Sequence, residues 1–477
     1  MSDLVKLTIE GREVEAPQGT TILEAAKLAG VLIPHYCYHP SLRIAGVCRM
    51  CLVEIEGWPK LAASCATTVA PGQVVHVSSK QAKAARQGVL EFLLINHPLD
   101  CPICDQAGEC ELQDYVFQEG RSGTRYGDYA KRFNPVEDFG PDVLHVANRC
   151  ILCTRCVRFM EHVAGEPVLN VSDRGDRAHI GIDAGRTLEH AWSGNVVDLC
   201  PVGSLISKDF LYKARAWDLD RTASVCSGCT QGCNVMLETR DNAVLRVRAR
   251  PNAEVNRHFI CDHGRLTYGW LNRADRIEAP LVRENGRLIP LDWDRAIERT
   301  VDVLRSSKAP WVGLVSPGVS CEALEAAARL LALGGGTGAF RVAEGEEAPL
   351  AGVPDLALRK ERAPNVHGAV AAGFSRDWDR AVADARDAGL VFVLDEDLAG
   401  VQALPPGVPL IYVGTVLPES ARDAAVVLPG ANLAEEEGSF VNLRGRRQAY
   451  CQAKTPPGMA RPAAWVLEEV LTALGAG

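Results

Sequence analysis

The sequence predicts an α+β multidomain protein, and three observations carry that reading. The chain has 477 residues at 47% hydrophobic and 23% charged, which is ordinary for a globular protein but too long for one compact core, so three or more domains are expected. Of its 17 cysteines, fifteen lie between Cys37 and Cys261, and only Cys321 and Cys451 follow. From about Pro280 the texture changes to strand-like runs, Trp311–Val315, Leu390–Leu394 and Leu410–Val413, alternating with Ala-rich helical stretches. That alternation predicts an α/β domain with a largely parallel sheet behind a cysteine-rich front.

Taken in order, residues 3–9 and 13–16 read as two strands joined by Glu10-Gly11-Arg12, and Thr21 to Ala29 as a helix closed by Gly30. Leu52–Ile55 and Val74–Val77 add strands between the turn signals Glu56-Gly57 and Pro71-Gly72, which completes a small α+β domain over 1–78. Ser78 or Ser79 then caps a helix to about Asn96, with an apolar face expected from Ala82, Ala85, Val89, Phe92 and Leu93 and a stop at Pro98. Residues 79–135 and 136–216 each carry one cysteine group, 217–275 carries a third, and 276–477 forms the α/β part. No internal repeat is visible.

The formal charge of -9 gives no basic footprint, so no nucleic-acid partner is expected. The start, Met1 to Ile9, reads as a strand and not as a signal segment, which points to a reducing compartment where metal binding is expected in place of disulfides. No run of about 18 apolar residues occurs, so no direct membrane span is expected.

Four ligand groups can be written down. Cys37-x10-Cys48-x2-Cys51-x13-Cys65 places four soft thiolates on loops of a small β-rich domain, the donor set of a [2Fe-2S] cluster, with zinc as the alternative. Its first gap departs from the plant-type spacing. His97-x3-Cys101-x2-Cys104-x5-Cys110 has three thiols; His97 either completes the set or is an ordinary helix C-terminal residue before Pro98. Cys150-x2-Cys153-x2-Cys156 matches the first three cysteines of the bacterial C-x2-C-x2-C-x3-C-P run, with Met160 where the fourth cysteine would stand and Cys200-Pro201 as the displaced ending, which points to [4Fe-4S]. Cys226-x2-Cys229-x3-Cys233-x27-Cys261 also suits a [4Fe-4S] cubane, with zinc again the alternative. Only Cys321 and Cys451 are left over, and both read as core or helix-start residues.

Two further motifs are plain. Gly334-Gly335-Gly336-Thr337-Gly338 lacks the Lys-Ser/Thr of a P-loop and follows a helix, so it reads as a helix stop. Arg246-Val247-Arg248-Ala249-Arg250 alternates like a solvated strand face.

Cys48-Arg49-Met50-Cys51-Leu52-Val53-Glu54, Asn96-His97-Pro98-Leu99-Asp100-Cys101-Pro102-Ile103-Cys104-Asp105, Asn148 to Arg158 and Asp198-Leu199-Cys200-Pro201-Val202-Gly203 together resemble the large iron–sulfur subunits of respiratory complex I, the family of G subunits in bacterial NADH-quinone oxidoreductases. The resemblance covers roughly residues 1–275. It implies an N-terminal β-grasp [2Fe-2S] ferredoxin domain and then iron–sulfur domains, with His97 as a ligand and no substrate chemistry on this chain. It also implies a relay: a flavoprotein oxidises NADH, and electrons pass from the Cys37 set to the Cys150 set, then to the His97 set, and leave towards quinone, coupled in the whole complex to proton translocation. The Cys226 set would lie off this route with a structural role. One [2Fe-2S] and three [4Fe-4S] clusters follow. The implied partners are the NADH-binding flavoprotein, a [2Fe-2S] thioredoxin-like subunit, a ferredoxin-like two-cluster subunit and a quinone-site subunit, on the cytoplasmic side of the bacterial inner membrane.

The back half resembles the molybdopterin oxidoreductase fold through Pro290-Leu291-Asp292-Trp293, Ala424 to Gly430 and Glu437 to Asn442. It reads as truncated. Active molybdenum relatives carry a lysine just after the last cluster cysteine, whereas Asp262-His263 follow Cys261, so no molybdopterin is expected. The large subunit of a soluble NAD-linked formate dehydrogenase is the alternative, and a zinc-stabilised scaffold the third reading.

Overall fold

The computed structural model describes residues 4–128, 131–399 and 407–476. Asp3, the first residue of the first expected strand, lies outside them. Among the described residues, no helix is long and apolar enough to cross a membrane. The chain forms two compact units, one of residues 1–218 with 350–354 and one of 219–349 with 355–477.

In the first unit, strands Leu4–Ile9 and Arg12–Pro17 pair antiparallel around a turn in which Glu10 and Gly11 both take positive φ, as a tight hairpin requires. Leu4–Ile9 also runs parallel to Val74–His76, which pairs with Leu52–Ile55 and through it with Ala62–Ala63, giving a five-stranded sheet. Helix Ile22–Leu28 starts where Thr21 Oγ1 accepts the Glu24 N–H at 3.3 Å, and it buries Ile22, Leu23, Ala25 and Ala26 with Ile9, Val53 and Val75 of the sheet.

Helix Lys80–Asn96 is capped by Ser79 and ends at His97, whose extended backbone is what Pro98 imposes on the residue before it. The buried residues of this helix are Ala82, Arg86 and Leu90; Phe92, expected inside, is 78% exposed. The reason is Arg86, which donates to the Val77 carbonyl at 2.9 Å and pairs with Glu119 at 3.0 Å, and so turns the buried stripe toward its own side. The rest of the unit is loop-rich, with a three-stranded antiparallel sheet of Val136–Asp138, Val143–Val146 and Leu205–Ser207, and a hairpin of Leu169–Ser172 with His179–Ile182.

The second unit opens with a three-stranded antiparallel sheet, Asp220–Val225, Asn234–Arg240 and Ala243–Ala249. Its arginine stripe is not a solvated face: Arg246 pairs with Glu238, whose side chain is 2% exposed. A seven-stranded sheet follows. Strands Thr337–Phe340, Trp311–Val315, Leu390–Leu394, Leu410–Gly414 and Val426–Pro429 run parallel, and the hairpin Leu281–Glu284 with Arg287–Pro290 closes one edge antiparallel. The central parallel strands are buried along their whole length, as strands covered on both faces are, and helices Trp293–Ser306, Cys321–Leu333 and Ala463–Leu474 pack into the same core. The glycine run does stop a helix: Gly334 caps Cys321–Leu333, and a Cβ there would meet Trp311 at 2.1 Å.

Candidate metal centres

Cys37, Cys48, Cys51 and Cys65 sit on loops at the edge of the first sheet, Cys51 just before strand Leu52–Ile55 and Cys65 just after Ala62–Ala63. Arg49, with φ +57, turns the chain between Cys48 and Cys51. The Cys37 N–H donates to Cys48 Sγ at 3.5 Å. Hydrogen bonds from Cys48 and Cys65 hold the Cys37 thiol low, the Cys65 thiol brings Cys51 down to about 7, and Cys48 and Cys65 are pushed up as the donors. Four cysteines thus form one cage.

His97, Cys101, Cys104 and Cys110 line a cavity of about 140 Å³ that Arg149 and Gly203 also line. His97 is the C-cap of its helix, Cys101 opens the turn Cys101–Ile103, and Cys110 is the N-cap of helix Glu111–Glu119. Three features fit a metal cluster. His97 Nδ1 is buried without a hydrogen-bond partner. Burial, with Lys131 and Arg149 nearby, lowers the His97 pKa to about 4, so the ring is in its neutral, ligating form. Gly203 leaves the space that its own Cβ would take, 2.2 Å from Cys104 Sγ.

Cys150, Cys153, Cys156 and Cys200 line a smaller cavity. Leu152 and Thr154 take φ +51 and +59 on either side of Cys153, a conformation non-glycine residues adopt only when held there, and it lets three thiols two residues apart converge. Leu152 N–H donates to Cys150 Sγ at 3.4 Å. Cys200 caps helix Asn195–Leu199 at its C-terminus. Burial raises the thiol pKa values of Cys150 and Cys153 to about 11 and about 12, and pushes those of Cys156 and Cys200 up as well. Buried thiols of this kind become thiolates when a cationic core is bound.

In the second unit, Cys226, Cys229 and Cys233 occupy the loop between strands Asp220–Val225 and Asn234–Arg240, and Cys261 is the N-cap of helix Asp262–Leu266. All four are buried. Gly228 and Gly264 N–H groups donate to Cys226 and Cys261 Sγ at 3.4 Å, and a Cβ on Gly264 would come within 2.8 Å of Cys226 Sγ.

Every predicted ligand therefore falls into one of four groups. Among the described residues, no three His, Cys, Asp or Glu side chains are close enough together to hold a metal ion as they stand. Of the two spare thiols, Cys321 is at a helix start and donates to Asn365 Oδ1 at 3.3 Å, whereas Cys451, also expected in a core or helix start, is exposed.

Arg149, Arg155, Arg158 and His145 are all buried beside the ligands, a placement that the spacing of the cysteines does not announce. His145 stacks on Phe139 at 4.4 Å and lines the Cys150 cavity. The only signal for the arginines was their place inside the cysteine motifs.

Five family models match in order: a 2Fe-2S iron–sulfur cluster binding domain at 2–80, the NADH-ubiquinone oxidoreductase-G iron–sulfur binding region at 86–125, the ferredoxin-like domain of NADH-quinone oxidoreductase subunit 3 at 140–206, the molybdopterin oxidoreductase Fe4S4 domain at 219–273 and molybdopterin oxidoreductase at 375–473. The G subunit of NADH-quinone oxidoreductase from Rickettsia bellii (strain RML369-C) is 44% identical over 305 residues, 64% of this chain and 44% of that protein. Over that span the chain is similar to G subunits of NADH-quinone oxidoreductases. The Rickettsia felis G subunit is 42% identical over 67% of this chain and 48% of its own length, and the 78 kDa subunit of NADH-ubiquinone oxidoreductase of Neurospora crassa 46% over 61% and 39%. The chain spans less than half the length of these relatives. Among solved structures, an NAD+-reducing [NiFe]-hydrogenase in the H2-reduced state is 31% identical over 44% of this chain and 90% of that one, with a TM-score of 0.41.

Proposed function

We propose that the chain is an electron-transfer subunit of an NADH-quinone oxidoreductase, carrying electrons from an NADH-oxidising flavoprotein towards quinone. Its sixteen candidate ligands would hold one [2Fe-2S] cluster at Cys37, Cys48, Cys51 and Cys65. Three [4Fe-4S] clusters would sit at His97, Cys101, Cys104 and Cys110, at Cys150, Cys153, Cys156 and Cys200, and at Cys226, Cys229, Cys233 and Cys261. Such clusters, when bound, supply one-electron carriers whose potentials respond to ligand charge, hydrogen bonds to sulfur and burial.

The observation that carries the reading is one guanidinium. Arg158 Nη2 donates to the carbonyls of both Cys37 and Cys153, so two ligand sets lie within reach of a single side chain. The remaining residues serve the same end. Backbone N–H groups donate to ligand sulfurs, and buried apolar side chains such as Tyr36, Met50, Leu90 and Val202 pack around Cys37, Cys110 and Cys153. Cys101 is exposed beside Leu99 and Ile103, so the His97 set reaches the surface, where an electron can pass to another subunit.

The partners proposed are the NADH-binding flavoprotein, the [2Fe-2S] thioredoxin-like subunit, the ferredoxin-like two-cluster subunit and the quinone-site subunit, in a peripheral arm on the cytoplasmic side of the bacterial inner membrane. Five domains, 1–78, 79–135, 136–216, 217–275 and 276–477, fit the order of the matched regions. Asp262-His263 after Cys261 support a last domain that works without molybdopterin.

The test is electron flow from NADH to quinone in the assembled enzyme. Cys156→Ser should abolish it, while Cys229→Ser should lower stability and leave most of the flow. Retained flow in Cys156→Ser would sink the proposal.

A further inference from the structure

Arg155 stands inside the Cys150-x2-Cys153-x2-Cys156 run and is 5% exposed. It lines the cavity formed by Cys150, Cys153, Cys156 and Cys200. Its two terminal nitrogens are fully engaged: Nη1 donates to Glu111 Oε1 at 3.0 Å and to the Leu199 carbonyl at 3.3 Å, and Nη2 to the Tyr38 carbonyl at 3.0 Å and to Glu111 Oε2 at 3.3 Å. Each anchor is the chain neighbour of a candidate ligand, Tyr38 of Cys37, Glu111 of Cys110 and Leu199 of Cys200. One side chain is thereby tied to three ligand sets.

The third nitrogen behaves differently. Arg155 Nε is buried and has no hydrogen-bond partner. A buried N–H of a charged group left without an acceptor costs several times what an ordinary hydrogen bond contributes, so such a group calls for an acceptor that binds there. The charge is also only partly compensated. Glu111 is 37% exposed at its side chain against 6% for Arg155, so solvent weakens the carboxylate's hold on the cation.

We propose that Arg155 is the redox-positioning residue of the Cys150, Cys153, Cys156 and Cys200 centre, with its three anchors holding the guanidinium charge at the cavity and its Nε–H free to donate to sulfur there. This rests on the reading that these four cysteines hold a redox-active cluster. A fixed cation and an N–H to sulfur both favour the more negative, reduced state, so they raise the reduction potential of this centre.

The experiment compares Arg155→Gln with Arg155→Lys in the full chain, with iron and sulfide content measured first and the potential of this centre then read by redox titration with electron paramagnetic resonance. In Arg155→Gln the iron content should hold while the ratio of reduced to oxidised centre at a given poise falls about tenfold, which is about 59 mV for one electron. Arg155→Lys, which keeps the charge, should recover most of that shift. An unchanged potential in Arg155→Gln overturns the proposal, as does an Arg155→Lys centre shifted as far as the glutamine one. If Arg155→Gln takes up no iron, Arg155→Lys decides alone: loading at close to the parent potential supports the proposal, and failure to load overturns it. A parent chain holding zinc in place of iron removes the premise, which is a failure of the functional reading and is told apart by the metal content.

Discussion

Arg158 donates from its guanidinium to the carbonyl oxygen of Cys37, a residue 121 positions earlier in the chain. The same side chain also reaches the Arg43 and Cys153 carbonyls and Thr154 Oγ1. It ties the loop of the first cysteine set to the short helix Arg155–Phe159, which carries Cys156. Arg158→Met keeps bulk and removes the donors, leaving buried carbonyls unpaired at about 1–3 kcal/mol each. The expected result is loss of the binuclear signal at a lower temperature than in the parent chain, followed by thermal scans of iron retention; an unchanged scan would mean that Arg158 holds nothing in place.

The glycine cradles give a sharper test of where metal sits. In Gly203→Ala the new Cβ would come within 2.2 Å of Cys104 Sγ, so the chain should lose iron from the His97 set. Gly264→Ala, with 2.8 Å to Cys226 Sγ, should lose it from the Cys226 set alone. Magnetic resonance of each variant distinguishes the two.

Exchanging His97 for cysteine probes ligand charge. His97→Cys keeps four donors but adds one negative charge, so iron content should hold while the potential of that centre falls. His97→Ala leaves three thiolates and should lower the iron content. Redox titration with metal analysis separates these outcomes from a helix-end role, in which neither value would move.

A pH effect is expected at a buried carboxyl outside the sixteen candidate ligands. Burial raises the Glu436 carboxyl from its ordinary 4.5 to about 8, opposed by the Tyr450 hydroxyl that donates to it at 2.7 Å and aided by the neighbouring charges of Asp395, Glu322 and Glu435. The folded state thus holds a proton that the unfolded state releases between those values. Its contribution is complete below about 4.5 and is lost as pH rises through about 8. Unfolding of the second unit, followed against pH, should become easier across that window, and Glu436→Gln should flatten the dependence.

Much of this was legible in the sequence because thiol ligands are scarce, chemically distinct and set at short spacings. The helix expected from Thr21, the cap expected at Ser78 or Ser79 and the stop expected at Gly334 match helix ends, with Thr21 and Ser79 as the caps, since capping is local chemistry. What the sequence hid depends on distant partners. Arg155 and Arg158 bond to backbone carbonyls, which carry no residue identity, up to 121 positions away. Phe92 was misplaced because Arg86 finds Val77 and Glu119 inside, and an apolar count has no term for a paired arginine. Arg246 was read as solvated because its partner Glu238 sits on the neighbouring strand.

A chain of iron–sulfur centres on these sixteen ligands stands or falls on iron and acid-labile sulfide content, read beside low-temperature electron paramagnetic resonance of the reduced full chain. About 14 irons with matching sulfide are expected, and four signals of which one is binuclear. Zinc with little iron, or no binuclear signal, would contradict it.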